Sequence, residues 1–187
     1  MKKSKGKIKT LILVAGIILV LPFFIAEPGQ AFQPDDLEFL RTTKQCFNCN
    51  LSGADLSNKN LRSADLSNTI LSRANLSGAD LSYASFPRAT LSSANLSNAT
   101  LYRANFTGAV LDGADLRRAN LSGADLSSAV LTNVNLSGAN LSGTTLVGAD
   151  FTGADLSGAD LTNAYMTGAI WTDGKECRSD SRGECKR

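Results

Sequence analysis

Residues 104–128 read ANFTG AVLDG ADLRR ANLSG ADLSS, five consecutive units with Ala first and Leu or Phe third. The same period runs without insertion from Leu51 to Trp171. Of its 25 third positions 20 are Leu, and the others are Phe86, Phe106, Phe151, Met166 and Trp171. Two residues before them, from Cys49 to Ala169, 20 of 25 positions are Ala. Asp or Asn usually stands between, and Ser or Thr usually follows, as in Ala54-Asp55-Leu56-Ser57. Five residues advance an α-helix by about 500°, a net turn of about 140° per Leu, which scatters the apolar side chains around the barrel. A plain strand fails because an odd period sends alternate Leu to opposite faces. What survives is a short extended piece, Ala and Leu on one side of it, then a turn that re-aims the next piece. Ser, Gly and Asn supply the turns, as in Ser52-Gly53 and Ser97-Asn98.

Tandem A-(D/N)-L-x-x over about 120 residues resembles the pentapeptide-repeat family. The resemblance implies an all-β fold, a right-handed quadrilateral β-helix in which four pentapeptides make one coil. The third-position Leu and the Ala two before it would point inward. If a coil takes 20 residues, unusual residues should recur at that spacing. Phe86 and Phe106 are 20 apart. In the Asp/Asn column five positions are apolar or aromatic, Ile70, Val110, Val130, Tyr165 and Ile170, and all but Tyr165 fall in one class modulo 20. That class runs Asn50, Ile70, Thr90, Val110, Val130, Asp150, Ile170. Twenty-five units make about six coils, a rod roughly 30 Å long at the strand spacing of ~4.8 Å.

The segments flanking the repeat have other roles. Residues 1–31 have the layout of a secretory signal peptide: Lys2, Lys3, Lys5, Lys7 and Lys9, an apolar run from Leu11 to Ala26, then Gly29-Gln30-Ala31 ahead of Phe32. The run falls short of the ~20 residues that span a bilayer. We therefore expect cleavage and no stable membrane insertion. The whole chain carries 19 Lys+Arg and 17 Asp+Glu. Removing five Lys and Glu27 with the leader leaves 14 basic and 16 acidic side chains, so the formal +2 becomes −2. Residues 32–50 are expected to form an N-terminal cap, with a helix over 34–44 in which Asp35 and Glu38 have capping-box spacing and Leu37, Phe39 and Leu40 give an apolar face. The β-helix is expected over 51–172, and the tail 173–187 should fold back over the last coil. Lys59 sits in the Ala column, breaks its rule, and is expected to snorkel outward.

The four cysteines lie at the two ends. Cα atoms joined by a disulfide must lie within about 7 Å, which a rod of ~30 Å forbids across its length. Cys46 with Cys49 and Cys177 with Cys185 is the pairing left, and an exported chain favours such staples over a redox C-x-x-C. The same distance excludes a four-sulfur zinc site.

No catalytic constellation accompanies the repeat. The His count is 0, and no paired general base or cleft-forming insertion offers to activate the Ser/Thr column. Asp55, Asp115 and Asp155 share a face with Asn75, Asn95 and Asn135, which suits a polar ladder better than the six or more oxygens Ca²⁺ requires. We expect no enzyme activity, no cofactor and no metal. Arg73, Arg88, Arg103 and Arg118 step by 15 and fall on four different sides, so no nucleic-acid patch forms. A flat ice- or mineral-binding face would need ranks of identical Thr, whereas these columns mix Ser, Thr, Arg and Asp.

One outward feature stands above background: the stripe Ile70, Thr90, Val110, Val130. It is either β-branched filling of extended backbone or an apolar strip for a partner protein or a second copy. The expectation is an exported structural or protein-interaction scaffold in the periplasm or thylakoid lumen, the resemblance adding that signal-bearing members are abundant in cyanobacteria. The alternative carried by the resemblance is a DNA-mimicking binder of a type II topoisomerase (gyrase). That role needs a strongly acidic surface, while residues 51–171 carry nine Asp against seven Lys/Arg.

Overall fold

The computed structural model describes residues 9–14, 17–22 and 34–186. In the leader region β1 (Lys9–Val14) and β2 (Ile17–Pro22) pair antiparallel, with Lys9 opposite Pro22. Most of the expected signal peptide, including Gly29-Gln30-Ala31, lies outside the described residues. Among those described, no helix is long and apolar enough to cross a membrane.

From Gln45 onward, every fifth residue bridges in parallel to the residue 20 further on, from Gln45 with Asp65 to Asp150 with Ile170. One coil therefore takes 20 residues and has four sides. The first side is centred on Cys46, Leu66, Phe86 and their successors, the second on Leu51, Leu71 and Leu91, the third on Leu56, Leu76 and Leu96, the fourth on Leu61, Leu81 and Leu101. Each unit contributes one bridged residue and no longer strand. A turn in every five residues leaves no room for the extended piece to grow.

Hydrogen bonds run up and down the stack. Leu71 N–H donates to Thr90 O at 2.7 Å, and Asn75 N–H donates back to Ala54 O at 2.9 Å. Within a unit, Ala74 N–H donates to Leu71 O at 3.0 Å and closes a four-residue turn. Its third residue, Arg73, has φ 59°. Positive φ at that place is the geometry of a type II turn, and it recurs in every unit from Gly53 to Gly168.

The core is a column of small aliphatic layers. Leu71, Leu91, Leu111 and Leu131 have no exposed surface, and the Ala column beside them is equally closed. Ala is demanded because two facing sides meet along it, with little space beyond a methyl group. Phe86 and Phe106 stack in parallel with centroids 4.5 Å apart. A second pair at the same spacing, unremarked in the sequence, is Phe151 with Trp171 at 5.6 Å, tilted by 56°.

At the N-terminal end, helix α1 (Pro34–Thr43) covers the first coil through the fully buried Leu40. The helix begins at Pro34, so Asp35 falls inside its first turn and not at the cap position that the expected capping box requires. Acids in that turn favour the helix dipole, and it is Asp36 whose Oδ2 accepts the Asn50 N–H at 2.8 Å. At the C-terminal end the tail returns antiparallel, Glu176 bridging Ile170 and Arg182 bridging Tyr165. Lys59 is exposed, as an ammonium in the inward column must be.

Candidate functional site

Each unit presents outward the residue before the Leu and the two residues of the turn. The Asp/Asn column is committed locally. Asp80 Oδ1 accepts both the Ser82 N–H at 3.0 Å and the Ser82 hydroxyl at 2.6 Å, and Asn95 makes the same pair with Ser97 at 3.0 and 2.7 Å. This is an Asx turn: a short side chain stands in for a backbone carbonyl and satisfies a donor that the coil leaves outside its ladder. The expected ladder along the stack exists only in part, as Asn75 Nδ2 to Asp55 Oδ1 at 3.2 Å and Asn95 Nδ2 to Asn75 Oδ1 at 3.4 Å. Local turns dominate because the N–H two residues on lies nearest the Oδ1.

The electrostatics agree. Hydrogen bonds from Ser57 hold the Asp55 carboxyl below its ordinary range, those from Ser82 do so for Asp80, those from Ser157 for Asp155 and those from Thr162 for Asp160. Asp115 is lowered chiefly by Arg117, whose Nη2 lies 2.7 Å from its Oδ2. These carboxylates are ionised turn acceptors, and the hydroxyls after them are their donors. Neither set is arranged as a base or a nucleophile. Among the described residues, no three His, Cys, Asp or Glu side chains gather as a metal site.

The stripe assembles on the second side. Ile70, Thr90, Val110 and Val130 bridge one another in sequence, Asn50 precedes them and Asp150 and Ile170 follow. Ile70 is 36% exposed and the other three are half-buried. Having no side-chain carbonyl or carboxylate, Ile70, Val110 and Val130 make no Asx turn, so the column's ordinary structural reason is missing at these coils.

A second outward cluster was not anticipated. Tyr83, 42% exposed, meets Tyr102 edge to face with centroids 5.5 Å apart. The Arg62 guanidinium lies 4.7 Å above the Tyr83 ring and that of Arg103 5.2 Å from the Tyr102 ring. The four form one strip along the corner after the fourth side. Only spacings of 19 and 21 give it away: residues in adjacent turn positions of successive coils are neighbours. Arg73, Arg88, Arg103 and Arg118 do fall on four corners. All four take the positive-φ place of the turn, where Gly or Asn is expected.

The cysteines close the ends. Cys46 bonds Cys49 with Cα atoms 5.3 Å apart, and Cys177 bonds Cys185 with Cα atoms 5.1 Å apart. Cys46 fills the Leu column and Cys49 the Ala column of the first coil.

A family model described as Pentapeptide repeats matches in eight copies, over residues 45–82, 69–108, 99–138 and 135–170. No curated protein matches the chain. Among solved structures, a pentapeptide repeat protein (Rfr23) from the cyanobacterium Cyanothece 51142 is 30% identical, covering 73% of this chain and 97% of its own, with TM-score 0.46. A pentapeptide repeat protein from the Arabidopsis thaliana thylakoid lumen is 31% identical, covering 77% and 86%, with TM-score 0.39. QnrB1, a plasmid-mediated fluoroquinolone resistance protein, is 25% identical, covering 75% and 78%, with TM-score 0.33.

Proposed function

The chain belongs to the pentapeptide-repeat family, and we propose that it is an exported, non-enzymatic scaffold that acts by binding protein through the second side of its rod. The solenoid is read as the right-handed quadrilateral β-helix, and the destination as the periplasm or thylakoid lumen after loss of residues 1–31. The observation that carries the binding role is the contrast within the Asp/Asn column. Most polar members are spent on Asx turns, while Ile70, Val110 and Val130 place apolar surface outward with Thr90 among them. A contiguous apolar strip on a polar rod is the usual form of a contact surface.

The topoisomerase-mimic alternative has less support. Over residues 45–108 five cations, Lys59, Arg62, Arg73, Arg88 and Arg103, face three acids, Asp55, Asp65 and Asp80. That half of the rod is net positive and does not resemble a nucleic acid.

Val110→Lys with Val130→Lys tests the strip. In sedimentation of protein recovered from its native compartment, the complex-sized species should disappear while the circular dichroism spectrum is kept. Unchanged sedimentation would reduce the strip to scaffold.

A further inference from the structure

The two ends of the rod are stepped. At the N-terminal end α1 is tied to the first two sides: Asp36 takes the Asn50 N–H, and the Cys46 Sγ lies 3.4 Å from Asp36 O. Over the third and fourth sides this leaves a cleft of about 310 Å³. Leu37, Leu40, Leu56 and Leu61 line it with the cations Arg41, Lys44 and Lys59 and one carboxylate, Asp55. That acid is already the acceptor of the Ser57 N–H at 3.1 Å. Lys59, the one charged residue in the inward column, thus belongs to a basic, apolar-floored recess.

At the C-terminal end the tail likewise covers the first two sides: Met166 N–H donates to Ser181 O, Gly168 N–H to Cys177 O and Trp171 N–H to Lys175 O. The third and fourth sides stay open. Leu156, Ala159 and Leu161 are only partly buried there, whereas Leu136, Ala139 and Leu141 one coil below are closed. Among the described residues, the N–H groups of Leu156, Gly158 and Leu161 meet no protein acceptor, although each has one in the coil before: Leu136 N–H donates to Asp155 O, Gly138 to Ser157 O and Leu141 to Asp160 O. The exposed Asp155 and Asp160 flank this gap, and from residue 119 to 174 the chain has five Asp and no Lys or Arg. The bases of the tail are engaged within it: Lys175 with Asp173, Arg178 and Lys186 with Asp180, and Arg182 over Tyr165.

We propose that these ends bind each other, so that copies of the chain associate head to tail. Both closures stand on the same two sides, so a half-turn about the rod axis between successive copies sets each raised half against the other's recess. Arg41 and Lys44 of α1 then come to Asp155 and Asp160, apolar surface is buried on both faces, and the charges match in sign. Such a contact uses two different patches and does not close on itself, so it builds dimers and short chains. It is independent of the strip on the second side.

The test is sedimentation equilibrium of protein produced from the complete gene, across concentration and salt. Average mass should rise with concentration and fall with added salt. Arg41→Glu with Lys44→Glu should lower the association constant by about tenfold or more, and so should Asp155→Lys with Asp160→Lys. Mixing the two variants should restore association, because each supplies the end that the other lacks. If the lysine variant melts early, Asp155→Asn with Asp160→Asn keeps the turn acceptors and should still weaken association. V110K/V130K should leave this association intact. A wild type that stays monomeric at all concentrations, either end variant associating like wild type, or a mixture that stays dissociated overturns the proposal.

Discussion

In the middle of the rod every Leu is roofed and floored by a residue 20 positions away. At the ends one of those neighbours is missing. Leu116 has no exposed surface and sits between coils whose backbone groups bond in both directions, whereas Leu161 keeps part of its surface in solvent. The middle is held by repetition alone, with no disulfide between Cys49 and Cys177. The ends are held by unrepeated parts: a helix with one fully buried Leu, a returning tail and two covalent staples. A repeat buries its apolar face only against another repeat, so the terminal units need partners of a different kind.

That difference gives predictions of decreasing size. Leu116→Ala should cost about 3 to 4 kcal/mol and Leu161→Ala only about 1 kcal/mol, read as shifts in urea midpoint at constant slope. Equal losses would mean that the last coil is as tightly enclosed as the fourth. Cys177→Ser with Cys185→Ser should cost about 2 kcal/mol, and the loss should be local. Hydrogen exchange should quicken in residues 166–186 while Leu91 to Leu131 keep their protection; exchange rising along the whole rod would show one cooperative unit with no distinct end. Gly123→Ala should cost about 1 to 2 kcal/mol, because φ 68° disfavours any Cβ and the new methyl would lie 3.3 Å from the Arg103 Cγ stacked over it. A neutral result would show that the coil relaxes at its corner.

The smallest effect is acid sensitivity. Asp155 and Asp160 are held below the ordinary carboxylate value of 3.8 by bonds from Ser157 and Thr162. Their contribution is fully present above that value and is lost as pH falls through the lower folded values. Asp155→Asn with Asp160→Asn keeps the Oδ1 acceptors and should flatten this part of the acid denaturation curve. An unchanged curve would mean that the turns do not depend on the charge.

The parts of the molecule that repeat were legible in the sequence, and the parts that occur once were mostly not. Period, inward columns and the 20-residue pitch followed from Leu and Ala alone, because one packing solution is imposed 25 times. The Ile70 to Val130 column followed for the same reason. The corner of Arg62, Tyr83, Tyr102 and Arg103 did not, since it rests on diagonal neighbours that a modulus of 20 passes over. Nor did the start of α1: spacing chose Asp35 as the cap, but Pro34 opens the helix one residue earlier and hands the tie to Asp36. The stack of Phe151 on Trp171 was missed because Trp171 was taken as the point where the pattern stops.

The fixed pitch also makes chain length a quantised variable. Deleting 20 residues from the middle removes one coil and leaves every column in line, a change the fold should absorb at the cost of one layer. Deleting five leaves a chain that still coils, but every residue beyond the cut moves to the next side. Ile70 and Thr90 would then sit a quarter-turn away from Val130, and the tail would meet a different face from the one that it now covers. Growth and shortening of such a gene by single units would scramble its surface while sparing its core, so a column that stays aligned across several coils marks a length changed only in whole coils.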